Sequence, residues 1–327
     1  MNSTLTGAYG AAHDDSAFFD HSDWGRLVIT GRDRLDFLQR MSTNNLNGLA
    51  RGQGRATVLT TPIGRMVDRL VVYVDDDALR VVTSPGAATV VRNWLGRHIF
   101  FMDQVQVQDV SAETGLLRVV GPAAGARLAE LLGGAALPEV LHHWAGAEHA
   151  GATLAAARAD RLGADTFAVW GPRAALAQLG AELEAGGAVR AGDDLYDVLR
   201  IEAGQPRYGR EIGEEYIPLE ANLWADVSFN KGCYTGQEII ARMESRGKQA
   251  RALAGLRLEA PVELGREPVQ VEHDGTAAGR VSSVAVSPAL GPIALAFLKP
   301  ASTAPGTPVD VRAAAGPVRA TVTALPF

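Results

Sequence analysis

The stretch Leu116-Leu117-Arg118-Val119-Val120-Gly121-Pro122 decides the fold class, because its pattern occurs a second time in this chain of 327 residues. An apolar strand ends in Gly-Pro, and leucines at helical spacing follow. The second copy is Phe167-Ala168-Val169-Trp170-Gly171-Pro172. Proline is well tolerated at the first helical position, since its missing N–H would have no partner there. Two such units predict an α+β fold, with a split β-α-β layout on an antiparallel sheet.

The segments on either side of these units have different characters. Towards the N-terminus, strands are predicted at residues 27–30, 56–61, 65–74, 79–83 and 105–110, with helices after residues 33 and 86. From about Arg251 onward, short β-type runs are separated by Gly, Pro and Asp-Gly turns, and no helical period is present. This pattern predicts a small all-β terminal domain, either a barrel or a sandwich.

The overall composition is that of an ordinary globular protein, with 47% hydrophobic and 21% charged residues. The net charge of −6 and the lack of a long basic run argue against direct nucleic-acid binding. No apolar stretch reaches the roughly 18–20 residues of a membrane helix, and the first residues do not have the pattern of a secretory signal. We therefore expect a cytoplasmic protein without a membrane partner.

Cys233 is the single cysteine of the chain. One thiol cannot form a disulfide within the chain, nor supply the set of thiolates that holds an iron–sulfur cluster. The chain also has only three lysines, and two of them, Lys231 and Lys248, flank a short stretch that contains this cysteine.

Glu202 extends the apolar stripe of a helix predicted to end at Gly204. Leu195, Val198 and Leu199 mark the stripe, and Glu202 follows it at position i+7. A carboxylate on the buried side of a helix needs a partner. A ligand with two neighbouring N–H donors would supply one, and a nearby arginine or solvent would serve equally well.

Asp68 interrupts an apolar face in a predicted strand. Met66, Leu70 and Val72 share that face under the period of two. An inward carboxylate could bind a ligand nitrogen or move a proton. Alternatively, the adjacent Arg69 neutralises it.

The segment 229–248 combines several reactive and flexible residue types. A cysteine beside a lysine has a lowered pKa when the ammonium is close, and the glycines allow tight turns. A basic cluster follows, which suits a polyanion. The alternative is a packed loop with an inert cysteine and a solvated basic face. The residues concerned are Lys231, Gly232, Cys233, Tyr234, Gly236, Gln237 and Glu238, followed by Arg242, Arg246, Lys248 and Arg251.

Taken together, these segments resemble the glycine-cleavage T-protein superfamily, and within it the YgfZ-type folate-binding proteins. The resemblance covers nearly the whole chain, and the last stretch matches the YgfZ signature. It rests on Thr30-Gly31-Arg32-Asp33, Leu59-Thr60-Thr61-Pro62-Ile63-Gly64-Arg65, Arg200-Ile201-Glu202-Ala203-Gly204-Gln205-Pro206, Pro218-Leu219-Glu220 and Lys231-Gly232-Cys233-Tyr234-Thr235-Gly236-Gln237-Glu238.

The resemblance implies a cloverleaf with two ferredoxin-like α+β domains on an interleaved chain path and a C-terminal β-barrel. The corresponding ranges are 1–50 with 112–245, 51–111, and 250–327. It implies tetrahydrofolate, or a one-carbon-substituted folate, in a central interdomain hole. Glu202 would grip the pterin, and Asp68, Lys231, Tyr234 and Arg242 would also contact the folate.

Two functions remain open under this resemblance, of which the first is favoured, and a third alternative is a degenerate family member that binds no ligand. The first is a folate-binding factor that supports assembly or repair of iron–sulfur client enzymes, and indirectly tRNA modification, with Cys233 as its functional thiol. The second is a folate-dependent aminomethyltransferase or methyltransferase that uses Asp68 and the lipoylated carrier protein of glycine cleavage. Arg69 follows Asp68 where T-proteins commonly have a second aspartate, and this departure weakens the second function.

Overall fold

The computed structural model describes residues 3–247 and 249–327. Its helices are α1 Ser3–Asp14, α2 Arg34–Met41, α3 Ala88–Gly96, α4 Ala124–Leu131, α5 Arg173–Ala185, α6 Asp193–Glu202 and α7 Gln237–Arg246. Its strands are β1 Ala17–Asp20, β2 Trp24–Thr30, β3 Gly54–Thr60, β4 Met66–Val74, β5 Ala78–Pro85, β6 Gln106–Asp109, β7 Thr114–Val120, β8 Trp144–His149, β9 Ala152–Arg158, β10 Thr166–Pro172, β11 Val189–Ala191, β12 Ala252–Leu258, β13 Gln270–His273, β14 Thr276–Ser287, β15 Gly291–Leu298, β16 Pro308–Ala313 and β17 Gly316–Thr323.

The chain builds two mainly antiparallel sheets and a barrel. The first sheet has the order β11-β1-β7-β10-β9-β8, and the second has the order β3-β4-β5-β2-β6. The chain starts in the first sheet, crosses to the second for β2 to β6, and then returns. The closed barrel follows in the order β12-β15-β14-β13-β16-β17. The α+β class, the interleaved path and the C-terminal barrel are therefore confirmed.

The predicted domain boundary at residue 50 is wrong. Strand β2 pairs with β5, where Leu27 lies opposite Val81, and also with β6. Helix α2 contributes Phe37 and Leu38 to the core of the same sheet. The second domain therefore begins near residue 24 rather than at 51, because long-range strand pairing decides which sheet β2 joins.

Each sheet has one face covered by helices and one face turned towards the other sheet. In the second domain, Leu70 and Val81 pack with Val91 of α3. In the first domain, α4 and α5 cover the corresponding face. The opposite faces meet in a cluster that includes Tyr73 and Trp170, whose ring centroids lie 4.5 Å apart. This meeting of two sheet faces creates the space in which the candidate site lies.

The helices of the described residues are too short or too polar to cross a lipid bilayer.

Candidate functional site

A cavity of about 450 Å³, the central cavity, lies between the two sheets. Strands β3, β4 and β5 of the second sheet form one wall, and β7 of the first sheet contributes another. Helix α6 and the segments 204–206 and 221–226 add to the lining, together with residues 24, 44, 141, 142, 160 and 212. Its charged side chains are Arg55, Arg69, Arg118, Asp160 and Asp226, together with His142. The cavity therefore combines apolar sheet faces with a small number of buried charges, as ligand sites commonly do.

Arg69 forms an ion-paired cluster with two aspartates on one side of the cavity. Its Nη1 and Nη2 donate to the two carboxylate oxygens of Asp160, at 2.9 and 3.2 Å. Its Nε donates to Oδ2 of Asp226 at 2.5 Å. Burial opposes the charged form of Asp160, but the charge of Arg69 and the hydrogen bonds from its guanidinium hold the pKa of Asp160 well below the usual range. Burial lowers the pKa of His142. The cavity thus keeps the carboxylate of Asp160 ionised beside a neutral imidazole at neutral pH.

Arg118 occupies a second side of the cavity. Its guanidinium carbon lies 4.6 Å from the ring centroid of Trp24 and 5.9 Å from that of Tyr196. The imidazole of His21 stacks on Trp24 with a centroid distance of 5.1 Å. Aromatic side chains therefore hold this arginine in place by cation–π contact.

Asp68 does not line the cavity, contrary to its predicted placement. It shares the helix-covered face of β4 with Leu70, and its exposed fraction is 0%. Its carboxylate accepts hydrogen bonds from the backbone N–H groups of Arg69 at 2.8 Å and Ser84 at 3.0 Å. Burial raises its pKa to about 6. The prediction that Asp68 and Leu70 share one face of the strand was correct, but that face packs in the core of the domain. Arg69 lies on the opposite face and lines the cavity instead.

Glu202 also lies outside the central cavity. It lines a separate cleft of about 550 Å³ beside Tyr9, His13 and the C-terminal Phe327. The hydroxyl of Tyr9 donates to Oε1 of Glu202 at 3.1 Å. The prediction that this carboxylate is largely buried and needs a partner was correct. Helix α1 provides that partner, because it packs against the end of α6.

Lys231 is a buried structural residue. Its Nζ donates to the backbone carbonyls of Gln39 at 2.6 Å, Ser42 at 2.6 Å and Asn44 at 2.7 Å. These carbonyls belong to the end of α2 and the turn after it, where a cation is favoured. Burial lowers the pKa of Lys231 to about 7, whereas three carbonyl acceptors favour the ammonium form, the only form with three donors. Lys231 contacts protein backbone rather than the cavity.

Tyr234 and Gly236 fix the same loop to the second domain. Tyr234 is buried with Leu219, Val227 and Ile240 and does not line the cavity. Gly236 has φ +85°, and a Cβ on it would lie 2.6 Å from the carbonyl oxygen of Thr61. A residue with a side chain would clash there. Glycine is therefore required at this position.

The remaining members of the predicted motif lie at the surface. Gly232, Cys233, Glu238 and Arg242 are exposed, and Gln237 is half-buried. Cys233 is a free thiol. None of these five residues lines the central cavity, so the predicted motif and the cavity lie apart in the structure. Lys248 and the side chain of Arg246 lie outside what the structure describes.

Asn44 links the loop to the cavity. Its side chain lines the cavity and donates to the carbonyls of Ala56 at 2.8 Å and Ala225 at 2.9 Å. Its own carbonyl accepts from Lys231. The loop therefore supports the cavity wall indirectly.

Sequence reasoning missed the residues that dominate the cavity. For Arg118 a signal existed, because it is the one charge inside the apolar run 116–120. For Asp160 and Tyr196 no local pattern distinguishes them from solvated or core residues, since the fold alone brings them together.

Two family models match the chain. The GCVT N-terminal domain matches residues 3–231, and the glycine cleavage T-protein C-terminal barrel domain matches residues 251–327. Together they cover both α+β domains and the barrel.

Several relatives are similar over most of the chain. An aminomethyltransferase of Chlorobium luteolum is 31% identical over 99% of this chain and 90% of its own length. One of Streptomyces coelicolor is 32% identical over 97% and 87%. A chloroplastic Arabidopsis thaliana protein named as a transferase is 31% identical over 81% of this chain, but this match spans only 60% of that protein.

A solved structure shares the fold. The glycine cleavage system aminomethyltransferase T of Bartonella henselae superposes with a TM-score of 0.87 at 23% identity, covering 99% of this chain and 89% of that one.

Proposed function

Because the chain belongs to the glycine-cleavage T-protein family, we propose that it binds tetrahydrofolate, or a one-carbon-substituted folate, in the central cavity and transfers the one-carbon group. The observation that carries this proposal is the cavity itself. The cavity combines apolar walls with the carboxylates of Asp160 and Asp226 and with Arg118, whose guanidinium packs against aromatic rings. A flat pteridine offers apolar faces and N–H donors at its edge, and these two features match the two kinds of lining.

The carboxylates of Asp160 and Asp226 are the groups we propose for the pteridine edge. Arg69 donates hydrogen bonds to both, and each carboxylate oxygen retains a second acceptor position. An ionised carboxylate also stabilises positive charge that develops on a reacting nitrogen. These two aspartates therefore take the role that the sequence had suggested for Asp68, whose carboxylate is shielded within the domain core.

Titration calorimetry with tetrahydrofolate tests the binding proposal. Ala225 lines the cavity but is exposed, so Ala225→Trp narrows the cavity without disturbing a packed core. We expect this change to weaken binding at least about tenfold, equivalent to about 1.4 kcal/mol. Glu202→Gln is the matched control, since Glu202 lines the other cleft. The proposal fails if wild type shows no binding, or if Glu202→Gln is the variant that loses affinity.

The reaction has its own test. The names of the relatives favour aminomethyl transfer, so wild type should convert tetrahydrofolate to its methylene derivative when given an aminomethylated lipoyl carrier protein, with release of ammonia and of the carrier in its dihydrolipoyl form. If tetrahydrofolate binds but no product forms, the protein binds folate without this reaction.

A second candidate function rests on the exposure of Cys233. This is the YgfZ-type function, in which the folate-bound protein supports assembly or repair of iron–sulfur client proteins and, through them, tRNA modification. A thiol at the surface is available to form a transient mixed disulfide or to contact a client. The thiolate is the reactive form, so exposure is a precondition for this function.

Alkylation with iodoacetamide tests that precondition. We expect Cys233 to be modified to completion in the folded protein, at a rate within about tenfold of that in denaturant. Cys233→Ser provides the blank for the mass measurement. Modification that occurs only after denaturation would remove the thiol function.

A further inference from the structure

Arg118 is the cavity cation that lacks a partner. It is 6% exposed, and its Nε is buried without a hydrogen bond. Within residues 3–247 and 249–327, its guanidinium forms neither a hydrogen bond nor an ion pair, and its close contacts are with the rings of Trp24 and Tyr196. Its charge acts on Asp160 through space, but Asp160 is already paired with Arg69.

The charges that line the cavity do not balance. Arg55, Arg69 and Arg118 face Asp160 and Asp226, and burial favours the neutral form of His142. The lining therefore carries one surplus positive charge. A buried cation without a counter-ion is costly, since it loses hydration and gains no partner. A ligand with an anionic group would supply the missing counter-ion and would account for a buried, unpaired arginine in the cavity wall.

We propose that Arg118 binds a carboxylate of the cavity's ligand, so that the cavity takes an aromatic ring compound with an acidic group. In the proposed function, on which this inference rests, that group is the glutamate carboxylate of folate. Arginine suits this task, because its planar fork donates two parallel hydrogen bonds to one carboxylate. The contacts with Trp24 and Tyr196 hold the guanidinium of Arg118 in position before the ligand binds.

This assignment divides the ligand between two sides of the cavity. Asp160 and Asp226 accept hydrogen bonds and repel a carboxylate, so they suit the N–H edge of a ring. Arg118 donates, and its buried charge has no counter-ion, so it suits the acid. A neutral carbonyl on the ring would bond Arg118 but would leave that charge unbalanced.

Three probes separate these contributions in calorimetric titrations. Tetrahydrofolate carries both the pteridine ring and the glutamate carboxylates. 6-Methyltetrahydropterin carries the pteridine ring without a carboxylate, and p-aminobenzoylglutamate carries the carboxylates on a benzoyl group without the pteridine ring. We expect Arg118→Met to weaken tetrahydrofolate and p-aminobenzoylglutamate at least about thirtyfold, and to leave 6-methyltetrahydropterin within about twofold. Arg190→Met is the matched control, because Arg190 also stacks on an aromatic ring, that of Phe18, but outside the cavity. It should change none of the three affinities.

Stability provides a second readout. If Arg118 had only a structural role, Arg118→Met would lower the melting temperature of the free protein. We expect the melting temperature to stay the same or to rise, because the variant removes an unpaired buried charge. Arg118→Lys keeps the charge and loses the fork, so its tetrahydrofolate affinity should lie between those of wild type and Arg118→Met.

The outcomes distinguish the two proposals. Equal losses for tetrahydrofolate and 6-methyltetrahydropterin, or no loss for either, would overturn the carboxylate assignment while folate binding stands. Wild type that binds p-aminobenzoylglutamate through Arg118 but not tetrahydrofolate would retain the carboxylate site and reject the folate function. Wild type that binds none of the three would reject both.

Discussion

Replacing Arg69 by methionine should lower the free energy of unfolding by about 3–5 kcal/mol. The side chain of Arg69 is 20% exposed, and those of its partners Asp160 and Asp226 are 19% and 8% exposed. Removing the cation leaves two mutually repelling carboxylates with little access to water. Urea unfolding followed by circular dichroism measures this loss.

Two further variants separate the loss of charge pairing from the loss of packing. Arg312→Met breaks an exposed pair with Glu272 and should leave the free energy of unfolding nearly unchanged, because water screens this pair. The triple variant Arg69→Met, Asp160→Asn, Asp226→Asn removes the unpaired charges and should recover most of the stability. If Arg69→Met alone lowered the free energy of unfolding as little as Arg312→Met, the cluster would not be a buried ion-pair site.

Replacing Lys231 by methionine should cost about 2–4 kcal/mol of unfolding free energy. The three carbonyls of Gln39, Ser42 and Asn44 would lose their shared donor in a site where Lys231 is only 8% exposed. Methionine has a similar length, so the change removes the ammonium while largely keeping the packing. The midpoint of urea unfolding measures the effect.

Lys299→Met is the matched control for that change. Lys299 is exposed and donates to a single carbonyl, that of Ala277, at 2.6 Å. Its replacement should alter stability by less than about 0.5 kcal/mol. Equal effects of the two substitutions would contradict the structural role of Lys231.

The fold could be predicted from the sequence where local periodicity was strong. The strand and helix around Leu70 and Val91 follow from apolar spacing, and turn residues mark the barrel. Helix α1 and strands β8 and β9 were not predicted. The sequences of β8 and β9 are rich in alanine and have few β-branched residues, so packing against the rest of the first domain determines them rather than strand propensity. Helix α1 contains Gly7 and Gly10, which lower its helix propensity.

The site was harder to predict because it depends on which face of a strand or helix meets which neighbour. The strand period of two correctly placed Asp68 and Arg69 on opposite faces of β4. Only the packing of α2 and α3 shows that the face of Asp68 belongs to the domain core. The helical stripe placed Glu202 on a buried side, whereas the identity of its partner, Tyr9, needs a contact 193 residues apart in the chain. The scarcity of lysine pointed to Lys231, although its role depends on the distant end of α2.

The structure of the complex with 5-formyltetrahydrofolate, a stable reduced folate, shows directly whether the central cavity is the folate site. We expect the ligand in the central cavity, with its ring edge at Asp160 and Asp226 and a carboxylate on Arg118. A ligand bound instead in the cleft beside Glu202 and Tyr9, with the central cavity unchanged, would contradict this expectation.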